Sequence, residues 1–183
     1  MLLREASEAT FARQLRAGEL TLGAAFTFLS GLYFRGKLAY AQVFSARPDQ
    51  TAIITPTRGL QPPELIVTAA LLEEFARGDI HPDNRRYRRA IEHDATELAE
   101  RLPKDARVIL LGSIATGKYV DVLRPILGDW LHYPVDFIGR GDMSRGGLLL
   151  RRSRAREALA YQRVEEGPRP KGKRPAKLGL SRV

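Results

Sequence analysis

Residues 108–119 read VILLGSIATGKY, and the order of residue types in this stretch decides the fold class. The aliphatic, β-branched run from Arg107 to Leu111 ends at Gly112, and a helical pattern takes over at about residue 117 and continues to 127. An apolar run, a glycine-bearing loop and an amphipathic segment predict strand, loop and helix in succession. The loop is one residue short of the phosphate-loop pattern G-x-x-x-x-G-K-[ST], whose last hydroxyl ligates magnesium. Tyr119 stands where that hydroxyl belongs. Only 65 residues follow Lys118, and no apolar run ends in a metal-holding aspartate, since Asp136 lies in mid-strand. A nucleoside triphosphatase is therefore not expected. Two readings stay open. Gly112, Ser113, Thr116 and Lys118 hold a phosphate or a nucleic-acid backbone at a helix N-terminus, or the loop is a tight structural turn.

Outward from this stretch, helices are expected at 3–17, 32–44, 67–77 and 84–102, and again from a glycine-rich start to about 157. Asp83 is the expected N-cap of the 84–102 helix and Pro103 its stop. Residues 24–29 fit a buried strand or a helix start. Strands are expected at 51–55, 107–111 and 134–138, with an edge strand at 159–164. Strands alternating with helices predict an α/β domain with a mostly parallel sheet. Ligands in such sheets sit outside the carboxyl ends of the strands. Loops 55–59, 112–118 and 139–147 each follow an expected strand, so parallel strands would gather all three on one rim.

The rim residues suit anions. Arg140 and Arg145 offer forked donors to phosphate or to a guanine edge, and Ser144 adds a hydroxyl. Asp142 can orient an arginine, accept from a base amide, activate a water or cap the helix that follows. Arg58 is either a third anion contact or a solvated turn arginine. Tyr33, Phe34, Arg35 and Lys37 mix rings and charges as base-stacking surfaces do, although rings at helical spacing are more often core. Arg85, Arg86, Arg88 and Arg89 share a helix with Glu92, Asp94, Glu97 and Glu100, which predicts a salt-bridged, solvated face. His81, His93 and His132 have no ligand spacing, so neither a metal nor another cofactor is expected.

The chain has 183 residues, 44% of them hydrophobic, enough for a real core, and it has no cysteine. Its net charge of +9 is uneven: residues 1–138 hold 17 Lys and Arg against 17 Asp and Glu, while residues 139–183 hold 13 against 4. That asymmetry points to DNA or RNA as the partner of the C-terminal end. Residues 168–183, with three prolines, two glycines and most charges positive, read as a flexible basic tail on a single α/β domain spanning 1–167. The longest uncharged stretch, residues 20–34, is 15 residues, below the roughly 20 a membrane span needs. It reads as buried core. No membrane association is expected, and with no targeting segment the expected location is cytoplasmic.

The order of patterns along residues 30–155 resembles a group of small bacterial domains related to the YaaA peroxide-stress proteins, themselves akin to the uracil-DNA-glycosylase-like fold. The resemblance is carried by an aromatic-basic helix (Leu32 to Ala41) and a strand with its turn (Ile53 to Pro62). A strand, a glycine and a tyrosine-bearing helix follow (Leu110 to Leu123), then a strand leading to a glycine-rich helix start (Val135 to Gly147). It implies a three-layer sandwich with a mostly parallel central sheet, in which Tyr119 is an expected residue. It also implies nucleic-acid binding, with action on a nucleobase, as in base excision, as its enzymatic form. The aspartate-bearing water-activating motif and the histidine-bearing loop of active uracil glycosylases are absent, so binding is implied more firmly than excision. Asp142 is then the first catalytic residue to consider and Asp121 the second. The alternatives are an enzyme that binds a nucleotide or phosphorylated small molecule through the 112–118 and 139–147 loops, and a non-catalytic nucleic-acid- or ribosome-associated protein.

Overall fold

Helix starts follow the short polar side chains that can accept from free backbone N–H groups. Thr21 accepts from the Ala24 N–H and Thr68 from that of Leu71, opening the second and third helices. The fourth is capped by Asn84, which accepts from the Arg86 and Tyr87 N–H groups, and not by Asp83. The reason is a turn in which the Asn84 N–H reaches the His81 carbonyl, leaving Asp83 inside the turn and Asn84 as the last extended residue.

The computed structural model describes residues 2–165; the expected basic tail, 168–183, lies outside them. The elements are α1 (Leu2–Ala17), α2 (Leu22–Phe44), β1 (Ile53–Ile54), β2 (Leu60–Gln61), α3 (Ala69–Ala76) and α4 (Arg85–Arg101). They continue with β3 (Val108–Ile109), α5 (Gly117–Leu127), β4 (Leu131–Pro134), α6 (Asp142–Ala155) and β5 (Tyr161–Arg163). The fold is mixed α/β and mostly helical. β1 and β2 form an antiparallel hairpin, while β4 pairs parallel with β3 on one side and antiparallel with β5 on the other.

The sheets are smaller and less parallel than the sequence suggests. Residues 55–59 are too short for a crossover, and the Thr55 N–H bonds the Gly59 carbonyl at 2.8 Å, so the chain after β1 folds straight back. The strand expected at 134–138 is β4 instead, which begins three positions before that apolar run. Leu131, Tyr133 and Pro134 are its buried residues. Pairing stops after Pro134, because the Val135 N–H turns to the Ala160 carbonyl and the Ile138 N–H back to Val135. Residues 135–137 form a single 3₁₀ turn that buries Phe137.

α2 is two limbs, not one rod. Gly31 sits at φ 64°, ψ −144°, a conformation that costs a residue with a Cβ dearly. Residues 22–30 and 32–44 consequently fold back on each other. Gly23 lies against Leu38, and the Phe26 and Phe34 rings meet edge to face at 5.4 Å. The two limbs serve two cores. One holds Leu20, Leu22, Ala25, Ile53, Val67 and Phe75. The larger one joins Tyr40 to the inner faces of α4, α5, α6 and the three-stranded sheet. The uncharged stretch 20–34 is thus core at its start, but Phe28 and Leu29 at the fold-back are 37% and 61% exposed.

The second limb of α2 packs on α6 through two glycines. A Cβ on Gly36 would stand 2.6 Å from the Gly146 carbonyl oxygen, and one on Gly146 would stand 2.8 Å from that of Leu32. Backbone meets backbone there, and this contact sets which side chains of the two helices face each other. Among the described residues no helix is long and apolar enough to cross a membrane.

Candidate anion-binding site

Parallel pairing of β3 and β4 sends the chain out of both strands at the same end of the sheet, and α5 and α6 start from there. Neither start has a side-chain cap: Thr116 and Gly141 occupy the cap positions without such a bond, leaving first-turn N–H groups unspoken for. The glycine contact with α6 holds the second limb of α2 beside them. Three elements therefore contribute to one cluster: Tyr33 and Lys37 from α2, Lys118 and Tyr119 from α5, Asp142 and Arg145 from α6. The Tyr33 hydroxyl donates to the Leu111 carbonyl at 3.0 Å, tying the limb to the end of the β3 segment.

The electrostatics show how close these groups are. Burial is the main cause of the Lys37 ammonium being lowered to about 8; Asp142 pulls it back up, while Lys118 and Arg145 push it further down. Burial likewise pushes the Tyr33 hydroxyl up to about 12, with the nearby Arg145 guanidinium opposing. Tyr119 is raised for the same first reason, helped by Asp142. Both phenols thus stay protonated, as hydrogen-bond donors, at neutral pH. The lysines rest on rings: Lys37 Nζ is 4.5 Å from the Tyr33 centroid and 5.3 Å from that of Phe34, and Lys118 Nζ is 5.1 Å from that of Tyr119.

Arg145 is 6% exposed. Its Nη2 donates to the Phe137 carbonyl at 3.0 Å and its guanidinium lies 5.1 Å from the Phe137 ring centroid. Nη1 is 3.8 Å from an Asp142 carboxylate oxygen, and Nε is buried with no acceptor. A buried guanidinium with an unused N–H and only a loose, 70% exposed carboxylate beside it carries more positive charge than its surroundings neutralise.

The residues picked from sequence divide accordingly. Gly112 is buried, and a Cβ there would meet the Tyr119 ring at 2.8 Å, so the glycine makes room for the tyrosine. Ser113 is half-buried and Thr116 exposed in the same loop. Asp142 is the first residue of α6 and does not cap it. Arg140 donates to the Ser144 hydroxyl at 3.2 Å on the surface. Arg145 faces inward, so its fork is not offered to solvent. Arg58 is not on this rim at all. It sits in the β1–β2 hairpin and bonds both oxygens of Glu74 on α3, whose carboxyl is held at about 2 chiefly by Arg58, with Thr57 assisting. The three-loop rim is therefore a two-loop rim, because the third loop belongs to another sheet. Asp121 is exposed on α5, and the His132 ring is engaged by the Trp130 carbonyl. The sequence alone shows Tyr33 and Lys37 as part of an aromatic-basic patch whose rings suit a core, and not as members of this cluster. Their signal was a lysine four residues after a tyrosine on the face that also carries Gly36 and Tyr40.

Among the described residues no group of three or more His, Asp or Glu side chains is placed to hold a metal ion. Comparison with protein-family models, curated proteins and solved structures found no match.

Proposed function

We propose that this chain is a nucleic-acid-binding α/β domain of the glycosylase-like, three-layer class, acting in the cytoplasm. The observation that carries the reading is the cluster of Lys37, Lys118 and Arg145 against the single carboxylate of Asp142, set where two uncapped helices start at the carboxyl ends of parallel strands. The charge excess lies on the same part of the chain. Arg151, Arg154 and Arg156 of the α6 region are exposed, and residues 139–183 hold all of the net +9. Backbone phosphates would run along this surface, with DNA and RNA both accommodated. If the domain also acts on a nucleobase, Asp142 is the group to activate water, being a solvent-exposed carboxylate at the mouth of the cluster.

The test is affinity for a labelled oligonucleotide across a salt series. The logarithm of affinity should fall linearly with the logarithm of salt, and each phosphate contact removed should lower the slope by about 0.7–0.9. Arg151→Gln with Arg154→Gln, and separately removal of residues 168–183, should each flatten the line. Affinity indifferent to both changes would defeat the reading. A damaged-base panel adds the enzymatic arm: abasic sites formed by the wild type and not by Asp142→Asn would establish excision.

A further inference from the structure

The cluster also says which phosphate it prefers. At the α2–α5–α6 junction Lys37 lies within electrostatic reach of Lys118, Arg145 and Asp142, and Arg145 Nη1 is 3.8 Å from the Asp142 carboxylate, leaving an excess of two positive charges when all are ionised. The ammonium groups of Lys37 and Lys118 lie on ring faces, and the buried Arg145 adds a positive charge that its one loose carboxylate neighbour offsets only in part. The hydroxyl of Tyr119 and the first-turn N–H groups of two helices that no side chain caps add neutral donors. An internal phosphodiester brings one negative charge and two ester oxygens that accept poorly. A phosphomonoester brings close to two charges and three strong acceptor oxygens.

We propose that the junction is a receptor for the dianionic phosphate of a phosphomonoester, such as the phosphorylated end of a nucleic-acid strand. This rests on the anion-binding reading above and narrows it. Lys37 makes the selection. It is half-buried between the limb's own rings and the groups of the two neighbouring helices, Lys118 and Tyr119 on α5 and Asp142 and Arg145 on α6. A second negative charge there compensates it where a single one does not.

Equilibrium binding of one short single strand, prepared with a 5′-phosphate, a 3′-phosphate or hydroxyl ends, tests the inference, with ribose 5-phosphate and inorganic phosphate as small competitors. A phosphorylated end should bind about tenfold or more tighter than a hydroxyl end at pH 7.5. That preference should rise from pH 5.5 to 7.5 as the monoester loses its second proton, then fall above pH 8 as Lys37 loses its own. Lys37→Met and Lys118→Met should each weaken binding of every strand, but the phosphorylated ends far more than the hydroxyl ends, so that the preference is lost. Two lysine variants guard against one that misfolds. Equal binding of all ends, with affinity for the strand retained, overturns the monoester receptor and leaves nucleic-acid binding intact. Ribose 5-phosphate binding that Lys37→Met abolishes, with no strand bound, supports the receptor and overturns nucleic acid as its source. No binding of strand or small phosphate refutes both.

Discussion

Adjacent glycines in α6 should respond to alanine with opposite signs. A Cβ on Gly146 would stand 2.8 Å from the Leu32 carbonyl oxygen and 2.8 Å from the Tyr33 Cα, both backbone, so no rotamer change relieves the contact. Forcing a methyl into such a seam costs about 1–3 kcal/mol, and the helix preference of alanine over glycine returns at most about 1 kcal/mol. The net expectation for Gly146→Ala is a loss on the order of 1–2 kcal/mol. A Cβ on Gly147 meets only Arg151 Nη1 at 3.3 Å, the far end of a flexible side chain. Gly147→Ala should therefore gain about 0.5–1 kcal/mol, the ordinary helix-interior difference. Urea unfolding followed by far-UV circular dichroism resolves both shifts. Because the seam positions Tyr33 and Lys37 against Arg145, Gly146→Ala should also weaken anion binding, and Gly147→Ala should not. A Gly146→Ala protein as stable as the wild type would mean that the helices do not meet where described.

Other perturbations follow from the charges and the fold-back. The folded Lys37 value of about 8 lies below its ordinary 10.5, so the unfolded chain holds the proton more tightly, and stability should rise with pH between those values. From pH 7 to 9.5, below the tyrosine range, the rise should be on the order of 2 kcal/mol at most and absent in Lys37→Met, by chemical denaturation at each pH. Glu74 gives a slope of the same sign in the acid range, because its value too is lowered on folding. Its depressed value of about 2 means that its stabilising contribution is present above 4.5 and lost as pH falls towards 2, so melting temperatures of Glu74→Gln should fall less steeply over that window. At Gly31 no atom lies within 4 Å of a Cβ, so Gly31→Ala should cost about 1–3 kcal/mol from backbone strain alone. A D-alanine introduced there by semisynthesis should be accepted, since the mirror image of this geometry is close to polyproline II.

Local signals carried the helices. The Asn84 cap, Pro103 stop and mixed-charge face make α4 readable, and the error at Asp83 was one residue because two cap-competent side chains adjoin. The stretch 107–119 reads correctly as strand, loop and helix, since apolar run, glycine and periodicity agree. What failed needed information from elsewhere in the chain. A glycine in Ser30-Gly31 does not announce a positive φ, so the fold-back of α2 and its split between two cores were invisible. The 134–138 run looks like a strand, yet Leu131 to Pro134 is the part with partners on both sides. Arg145 shows the same limit at the site: sequence supplies a guanidinium, and only the packing of Phe137 over it turns that guanidinium inward.

The second limb of α2 is also a statement about order of assembly. Tyr33 finds its carbonyl 78 positions later, and the Tyr40 hydroxyl accepts from the Leu159 N–H 119 positions later while meeting the hydroxyl of Tyr161. The fold-back at Gly31 and the β1–β2 hairpin close over short spans and can form as the chain is made. The binding cluster cannot, because its parts come from both ends of the domain, and contacts of such sequence separation form slowly. A nascent chain that stops before α6 should thus hold a helical hairpin and a partial core but no competence to bind an anion. Pulse-labelled hydrogen exchange should show the amides of residues 33–40 gaining their final protection together with those of 159–164.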